Sequence, residues 1–333
     1  MNYIGSKHKL SSFISANIQE VVSENMSHLI FCDLFAGTGS VARNFKTSVK
    51  GIIANDVEYY SYVLLRNYIQ NHTRLDYEGH LYRLNEVHGV KGFIYENYAE
   101  GGRAGRLYFS EENGRKIDAA RRTLDSWKEA GEIDSDMYFF LLASLIESAD
   151  KVANTASVYG AYLKKLKASA QKTLKIMPAH FDLTPNEHKV YQCDANQLIK
   201  KIEGDILYLD PPYNARQYGA NYHLLNTIAK YDTFVPQGKT GLREYFRSNY
   251  CRTAEVQRSF EELVKNARFK YLFLSYNNEG LMPAVVIKEI MQKYGRYDLA
   301  TKDYQRFKAD KTENRNHTAK ATTEYLHIIE KIN

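Results

Sequence analysis

The sequence predicts an α/β protein: a doubly wound, mostly parallel sheet with an antiparallel C-terminal hairpin and an inserted, mainly helical domain. Three observations predict it. Short apolar runs bounded by turn residues recur along the chain, at lengths that suit strands buried on both faces. Helical patterns lie between several of them, and strand–helix alternation marks a parallel sheet. One long stretch, between Leu75 and Lys189, contains no convincing buried strand.

The elements follow in order. Leu29 to Leu34 is the first strand, and Ala36-Gly37-Thr38-Gly39 comes directly after it. Gly51 to Ala54 is the second, ending in Asn55-Asp56. Lys189 to Cys193 runs into Asp194, Asp205 to Leu209 into Asp210-Pro211-Pro212-Tyr213, and Lys270 to Ser275 is the fifth. Helices are expected over Ser40 to Phe45, Glu58 to Asn71 and Phe260 to Ala267. Tyr297 to Thr301 and Thr323 to Lys331 have only a charged stretch between them and read as the closing hairpin. The insertion holds a Gly/Arg-rich turn, Gly101 to Arg106, and an apolar helix, Met137 to Ile146. After these comes an amphipathic stretch, Lys151 to Ile176. This places a catalytic domain at residues 1–74 and 189–333 and the helical insertion at 75–188.

Composition bounds the function. The chain has 333 residues, with 44% hydrophobic and 25% charged, ordinary for a globular protein and against disorder. It lacks a run of about 18 apolar residues, so no membrane span is expected. Its first residues lack a signal peptide's apolar core, so a cytoplasmic, prokaryotic location is expected. Cys32, Cys193 and Cys251 are too scattered for a disulfide framework or zinc knuckle, and the histidines form no metal-ligand pattern. A net charge of +6 and 27 tyrosines allow an anionic partner without establishing one, since half-buried Tyr is also good packing material.

The candidate chemistry sits at strand ends, where open α/β sheets bind ligands. Phe35-Ala36-Gly37-Thr38-Gly39 can bend sharply and let a ligand approach its backbone. Gly37-x-Gly39-x-x-Ala42 also satisfies the dinucleotide pattern, with Asp56 near the distance of a ribose acid, so a nicotinamide oxidoreductase fits these residues equally well. Asp33 changes the balance. It precedes the glycines inside the strand, where a carboxylate suits an ammonium group better than a pyrophosphate. S-adenosylmethionine has an amino group, a ribose and no phosphate. The competing reading of Asp33 is a turn-stabilising cap. Asp210-Pro211-Pro212-Tyr213 is more specific. Its two prolines remove backbone donors, leaving carbonyl and carboxylate acceptors beside an aromatic ring. That grouping suits a planar molecule with an exocyclic amine.

These residues together resemble the DNA adenine N6-methyltransferases of type II restriction-modification systems, in the alpha-class motif order that ends on Asp-Pro-Pro-Tyr. The resemblance covers nearly the whole chain. It implies a class I S-adenosylmethionine-dependent, Rossmann-like fold with the insertion as target-recognition domain. It assigns Tyr3, Ile4, Gly5, Ser6 and Lys7 to an N-terminal cofactor motif, and Asp33, Phe35, Gly37, Thr38 and Gly39 to the first core motif. It places Asp56 at the cofactor ribose, Asp194 near its adenine, and Asp210, Pro211, Pro212 and Tyr213 at the catalytic centre. Asn214 to His223 and Leu274 to Gly280 resemble a subgroup in which some members methylate CATG-like sites.

The resemblance further implies double-stranded DNA as substrate, a flipped adenine, no metal, and a cognate restriction endonuclease as functional partner. A monomer is expected, with a dimer left open. Lys151, Lys164, Lys165 and Lys167, interleaved with Tyr159 and Tyr162, are candidates for phosphate contact, against a plain solvated helix face. Arg216, Arg243 and Arg247 are further candidates, and Lys302 to Lys320 is a possible loop over DNA. His223 is expected to be a packed or loop-bracing histidine. Methylation of an RNA base is the near alternative.

Overall fold

The computed structural model describes residues 10–305 and 321–332. The chain divides into two compact units. The sheet unit takes residues 10–57, Asn186–Gln217 and the described part of 247–332. The helical unit takes Glu58–Pro185 and Tyr218–Phe246.

The sheet unit holds seven strands: β1 (Ile30–Asp33), β2 (Gly51–Asn55), β3 (Lys189–Tyr191), β4 (Glu203–Leu209), β5 (Arg268–Asn277), β6 (Gly295–Gln305) and β7 (Ala321–Lys331). Their order across the sheet is β3-β2-β1-β4-β5-β7-β6. β3 to β5 pair in parallel, and β7 enters antiparallel between β5 and β6. The predicted mostly parallel sheet with an antiparallel C-terminal hairpin is therefore the observed one. Every residue of β2 is buried, as an apolar run covered on both faces requires. The edge strand β3 is half-exposed and ends at Tyr191, short of the expected Cys193. Among the helices that the sequence patterns do not single out are Ser11–Val22 and Ala284–Gln292. The first buries Ile14, Ile18 and Val22 at a four-residue spacing, a one-sided signal in a short segment.

The helical unit is built on Ser135–Val152, whose apolar residues point in all directions and bury against its neighbours. Asp134 caps it, accepting from the Met137 N–H at 2.8 Å. Tyr60, Val63, Leu64 and Tyr68, from before residue 75, belong to this core. So do Leu224, Leu225 and Ile228, from beyond the Asp-Pro-Pro-Tyr turn. The contacts thus draw the unit boundaries at Glu58 and Pro185 and add Tyr218–Phe246, whereas strand spacing drew them at 75 and 188. An amphipathic helix carries the same pattern whichever core receives it, so sequence periodicity could not make that distinction.

Residues 153–188 form no helix. Six lysines without an acid in 151–175 have no i,i+4 partners to support one. Instead the backbone runs irregularly and buried side chains satisfy it. Asn113 donates to the Lys172 carbonyl at 2.9 Å and accepts from the Leu174 N–H at 2.8 Å. Asn85 pairs both ways with Ile176, and Asn67 donates to the Ala179 carbonyl at 2.8 Å.

Candidate active site

β1 to β4 are contiguous, and the strand order reverses between β1 and β4. Loops that leave such a pair turn to opposite sides, the arrangement in which open α/β sheets hold ligands. The register joins the two motifs directly. Asp33 pairs with Tyr208, two residues before Asp210.

Asp33 closes β1 and is 1% exposed. Its Oδ2 accepts from the Ala42 N–H at 3.2 Å, so one oxygen stabilises the turn as a cap does. Its Oδ1 is buried without a hydrogen-bond partner. Burial, then the neighbouring Asp210 carboxylate, hold the Asp33 carboxyl well above the usual carboxylate range; the Ala42 N–H opposes this and Asp56 adds to it. An orphaned buried acceptor is costly, and a cation or N–H donor would satisfy it.

Gly37 and Gly39 both take left-handed backbone, φ 54° and 76°, where a side chain would be strained. Asp56 Oδ2 accepts from the Gly37 N–H at 2.9 Å, tying the glycine turn to the end of β2. Asn55 beside it is a buried staple that the sequence reading passed over. Its amide donates to the Leu34 carbonyl at 3.0 Å and the Cys193 carbonyl at 3.1 Å, while its Oδ1 accepts from the Cys193 N–H at 3.0 Å. Three strand ends are thereby held together. Asp194 caps the short helix Ala195–Leu198 through the Gln197 N–H at 3.1 Å. Tyr250, also unforeseen, packs edge-on against Phe35 with centroids 5.0 Å apart and donates to Asn196 Oδ1 at 2.8 Å. Its hydroxyl is pushed up by burial and then by the Asp194 charge.

β4 ends at Leu209, and Asp210 follows half-buried, with Pro211 buried behind it. Tyr213 is half-exposed, lies edge-on to Tyr276 at 6.4 Å and 81°, and accepts the Leu281 N–H on its carbonyl at 3.0 Å. Asp33, Phe35, Gly37, Thr38, Gly39, Asp56, Asp194, Asp210, Pro211, Pro212 and Tyr213 thus all lie at strand ends of the sheet unit. Tyr3 to Lys7 lie outside the described residues, and so does the Lys302 to Lys320 stretch from residue 306 onward.

The basic candidates divide. Lys151, Lys164, Lys165, Arg216 and Arg247 are exposed. Lys167 is half-buried and its ammonium donates to the Thr155 carbonyl at 2.6 Å, bracing its own loop. Arg243 must be withdrawn from the phosphate set: it is 8% exposed, and its guanidinium grips both oxygens of Asp232 at 2.9 and 2.8 Å. Tyr159 is fully buried, donating to Asp150 at 2.8 Å, so it is core rather than a DNA contact. His223 is the bracing histidine expected, its Nε2 donating to the Tyr159 carbonyl at 3.0 Å. Among the described residues no helix is long and apolar enough to cross a membrane.

With strand-end acids, a glycine turn and the Asp-Pro-Pro-Tyr segment on one α/β sheet, the chain belongs to the D12 class N6 adenine-specific DNA methyltransferase family, whose model matches residues 3–291. It is 60% identical over 332 residues to the type II methyltransferase M.NlaIII of Neisseria lactamica, covering 99% of both chains. It is 37% identical to M.CviAII of Paramecium bursaria Chlorella virus 1, over 93% of each chain. M.FokI of Planomicrobium okeanokoites is 38% identical, with this chain spanning about half of that larger protein, 53%. The activity is therefore site-specific adenine methylation of DNA, of the restriction-modification type. The nicotinamide reading of the glycine turn and the RNA-base reading both fall.

Proposed function

We propose that this chain methylates N6 of an adenine flipped from a short duplex site, with S-adenosylmethionine as donor, and so protects DNA from a cognate endonuclease. The observation that carries the proposal is the β1–β4 adjacency, which sets the orphaned Asp33 Oδ1 beside the Asp210 segment. That oxygen also tests the fit of the cofactor, because an ammonium group would satisfy it and offset the neighbouring carboxylate charge. When bound, the cofactor supplies an electrophilic methyl on a sulfonium.

The chain's own residues do the rest. Asp33 receives the amino group, the Gly37–Gly39 turn admits close approach, and Asp56 faces the ribose hydroxyls while bracing Gly37. Phe35, Thr38, Asp194 and the Tyr3–Lys7 segment complete the cofactor site, with Asp194 toward the adenine amine. Flipping the target base costs a few kcal/mol. Tyr213 recovers about 1–3 kcal/mol by stacking on it. Asp210 and the Pro211 carbonyl each accept one hydrogen bond from the N6 amine, which gives up one of its two protons to solvent once the methyl is transferred, while Pro212 stiffens the turn. An exocyclic amine conjugated to a purine is a poor nucleophile, so its polarisation and in-line placement supply the catalysis. The helical unit serves as the target-recognition domain, for a CATG-like site. Lys151, Lys164, Lys165, Arg216 and Arg247 contact phosphate, and the enzyme acts as a cytoplasmic monomer without a metal.

The test is transfer of labelled methyl to unmethylated duplex DNA. Asp210→Ala should cost about 10²- to 10³-fold or more in kcat, as loss of one well-placed polar group does. Wild-type turnover in that variant would remove Asp210 from the mechanism.

A further inference from the structure

Residues Leu274 to Gly280, one of the stretches that carry the subgroup resemblance, take no part in methyl transfer as described so far. Their geometry gives them one. Tyr276 is 1% exposed near the end of β5, in the apolar cluster against which Tyr213 packs. Beyond it the chain folds back over the Tyr276 ring. The Gly280 N–H donates to the Asn277 carbonyl at 3.2 Å, and Asn277 Oδ1 accepts from the Glu279 N–H at 3.1 Å. The Met282 N–H then donates to the Tyr276 hydroxyl at 3.3 Å. Gly280 lies so close to the ring that a Cβ there would stand 2.1 Å from Cε1. Between them, Leu281 donates its N–H to the Tyr213 carbonyl at 3.0 Å. One aromatic side chain therefore shapes the loop that holds the Tyr213 backbone, and also meets the Tyr213 ring edge-on.

This arrangement answers a need that the prolines create. β4 pairs with β5 up to Leu209 and Leu274, but Pro211 and Pro212 have no N–H with which to extend the ladder. β5 continues to Asn277 with its pairing on the β7 side, Tyr276 against Tyr325 and Asn277 against Glu324. The Asp-Pro-Pro-Tyr turn must be aligned by contacts other than a parallel ladder, and the Tyr276 loop supplies two.

We propose that Tyr276 is a positioning residue for the reaction: through its ring and the Asn277–Met282 loop it sets the plane and depth of the Tyr213 ring on which the target adenine stacks. The inference rests on the stacking role given to Tyr213 above. It is tested by a double-mutant cycle on kcat, with Tyr213→Ala, Tyr276→Leu and the double variant. Tyr276→Leu should lower kcat about 10- to 100-fold, as a misplacement near 1 Å does, with cofactor affinity unchanged. Tyr276→Phe, which keeps the ring, should stay within about fivefold, the worth of one ordinary hydrogen bond. The double variant should be no slower than Tyr213→Ala, because both changes act on one ring. With 2-aminopurine at the target position, fluorescence of the Tyr276→Leu complex should move toward that of Tyr213→Ala. Additive losses in kcat would overturn the inference, since Tyr276 would then act elsewhere. Wild-type turnover in Tyr213→Ala would overturn the stacking role itself, a failure visible without any change at Tyr276. Should Tyr276→Leu not fold, Gly280→Ala, which drives a methyl into the same ring, takes its place in the cycle with the same expected and overturning results.

Discussion

Asp33 uses one carboxylate oxygen as a cap and leaves the other without a hydrogen-bond partner, the oxygen proposed above to receive the cofactor's amino group. Sequence placed the residue at the end of a strand before a glycine turn, which made both roles legible, but not that one oxygen is left over. The consequence is measurable. A carboxyl held above its ordinary range binds its proton more tightly in the folded protein than in the unfolded chain. The resulting stability is complete below the unfolded pKa, near 4, and is lost as pH rises through the folded one. Cofactor-free Asp33→Asn should therefore melt above the wild type at neutral pH, with the gap closing as pH falls toward about 4. The same variant should lose at least about tenfold in cofactor affinity, by equilibrium dialysis. Equal melting temperatures at pH 7 would show that burial of Asp33 costs nothing. His223 has the opposite sign. Burial pushes its pKa down to about 4, so its share of stability is present above 6.5 and lost as pH falls toward that value. His327 contributes in the same window, also at about 4. The stability lost between pH 6.5 and about 4, read from urea unfolding free energies, should shrink in His223→Gln by on the order of 3 kcal/mol.

At the scale of elements, the candidate site is four strand ends held in register, and Asn55 does much of the holding. The motif reading singled out Asp56 and passed over its neighbour, because an Asn closing an apolar strand carries no signal of what it reaches. Its three bonds go to Leu34 and Cys193, one of them far along the chain. Asn55→Leu leaves two carbonyls and one N–H unpaired in a buried place, which should cost about 2–4 kcal/mol of stability. It should also weaken cofactor binding by loosening both Asp56 and Asp194, whereas Lys50→Ala, one position before β2, should do neither. Chemical denaturation with parallel dialysis reads both effects. The core strands were legible because runs such as Gly51 to Ala54 have little other use than burial on both sides. Residues 153–176 were not, because their backbone is held by buried Asn side chains on distant helices rather than by a helix of their own.

For the whole molecule, a net charge of +6 says less than where the charge is free. Lys164 and Lys165 are exposed, whereas Arg243 is spent on Asp232. Duplex affinity should fall steeply with salt, and each phosphate contact adds about 0.9 to the slope of log K against log salt. Lys164→Ala with Lys165→Ala should reduce that slope by about two. Arg243→Ala should leave the slope intact and lower stability instead. A slope untouched by the lysine pair would take the 151–175 segment off the DNA. The sequence by itself determined the fold class, the strand ends that form the candidate site and the family, because buried strands and short motifs are local patterns written in consecutive residues. Only the tertiary structure decided which core received the helices around residue 60 and residue 225, which Asp33 oxygen was left without a partner, and that Tyr276 stands behind Tyr213. Those outcomes depend on contacts between residues far apart in the chain, and no local spacing encodes which distant surface a side chain will meet.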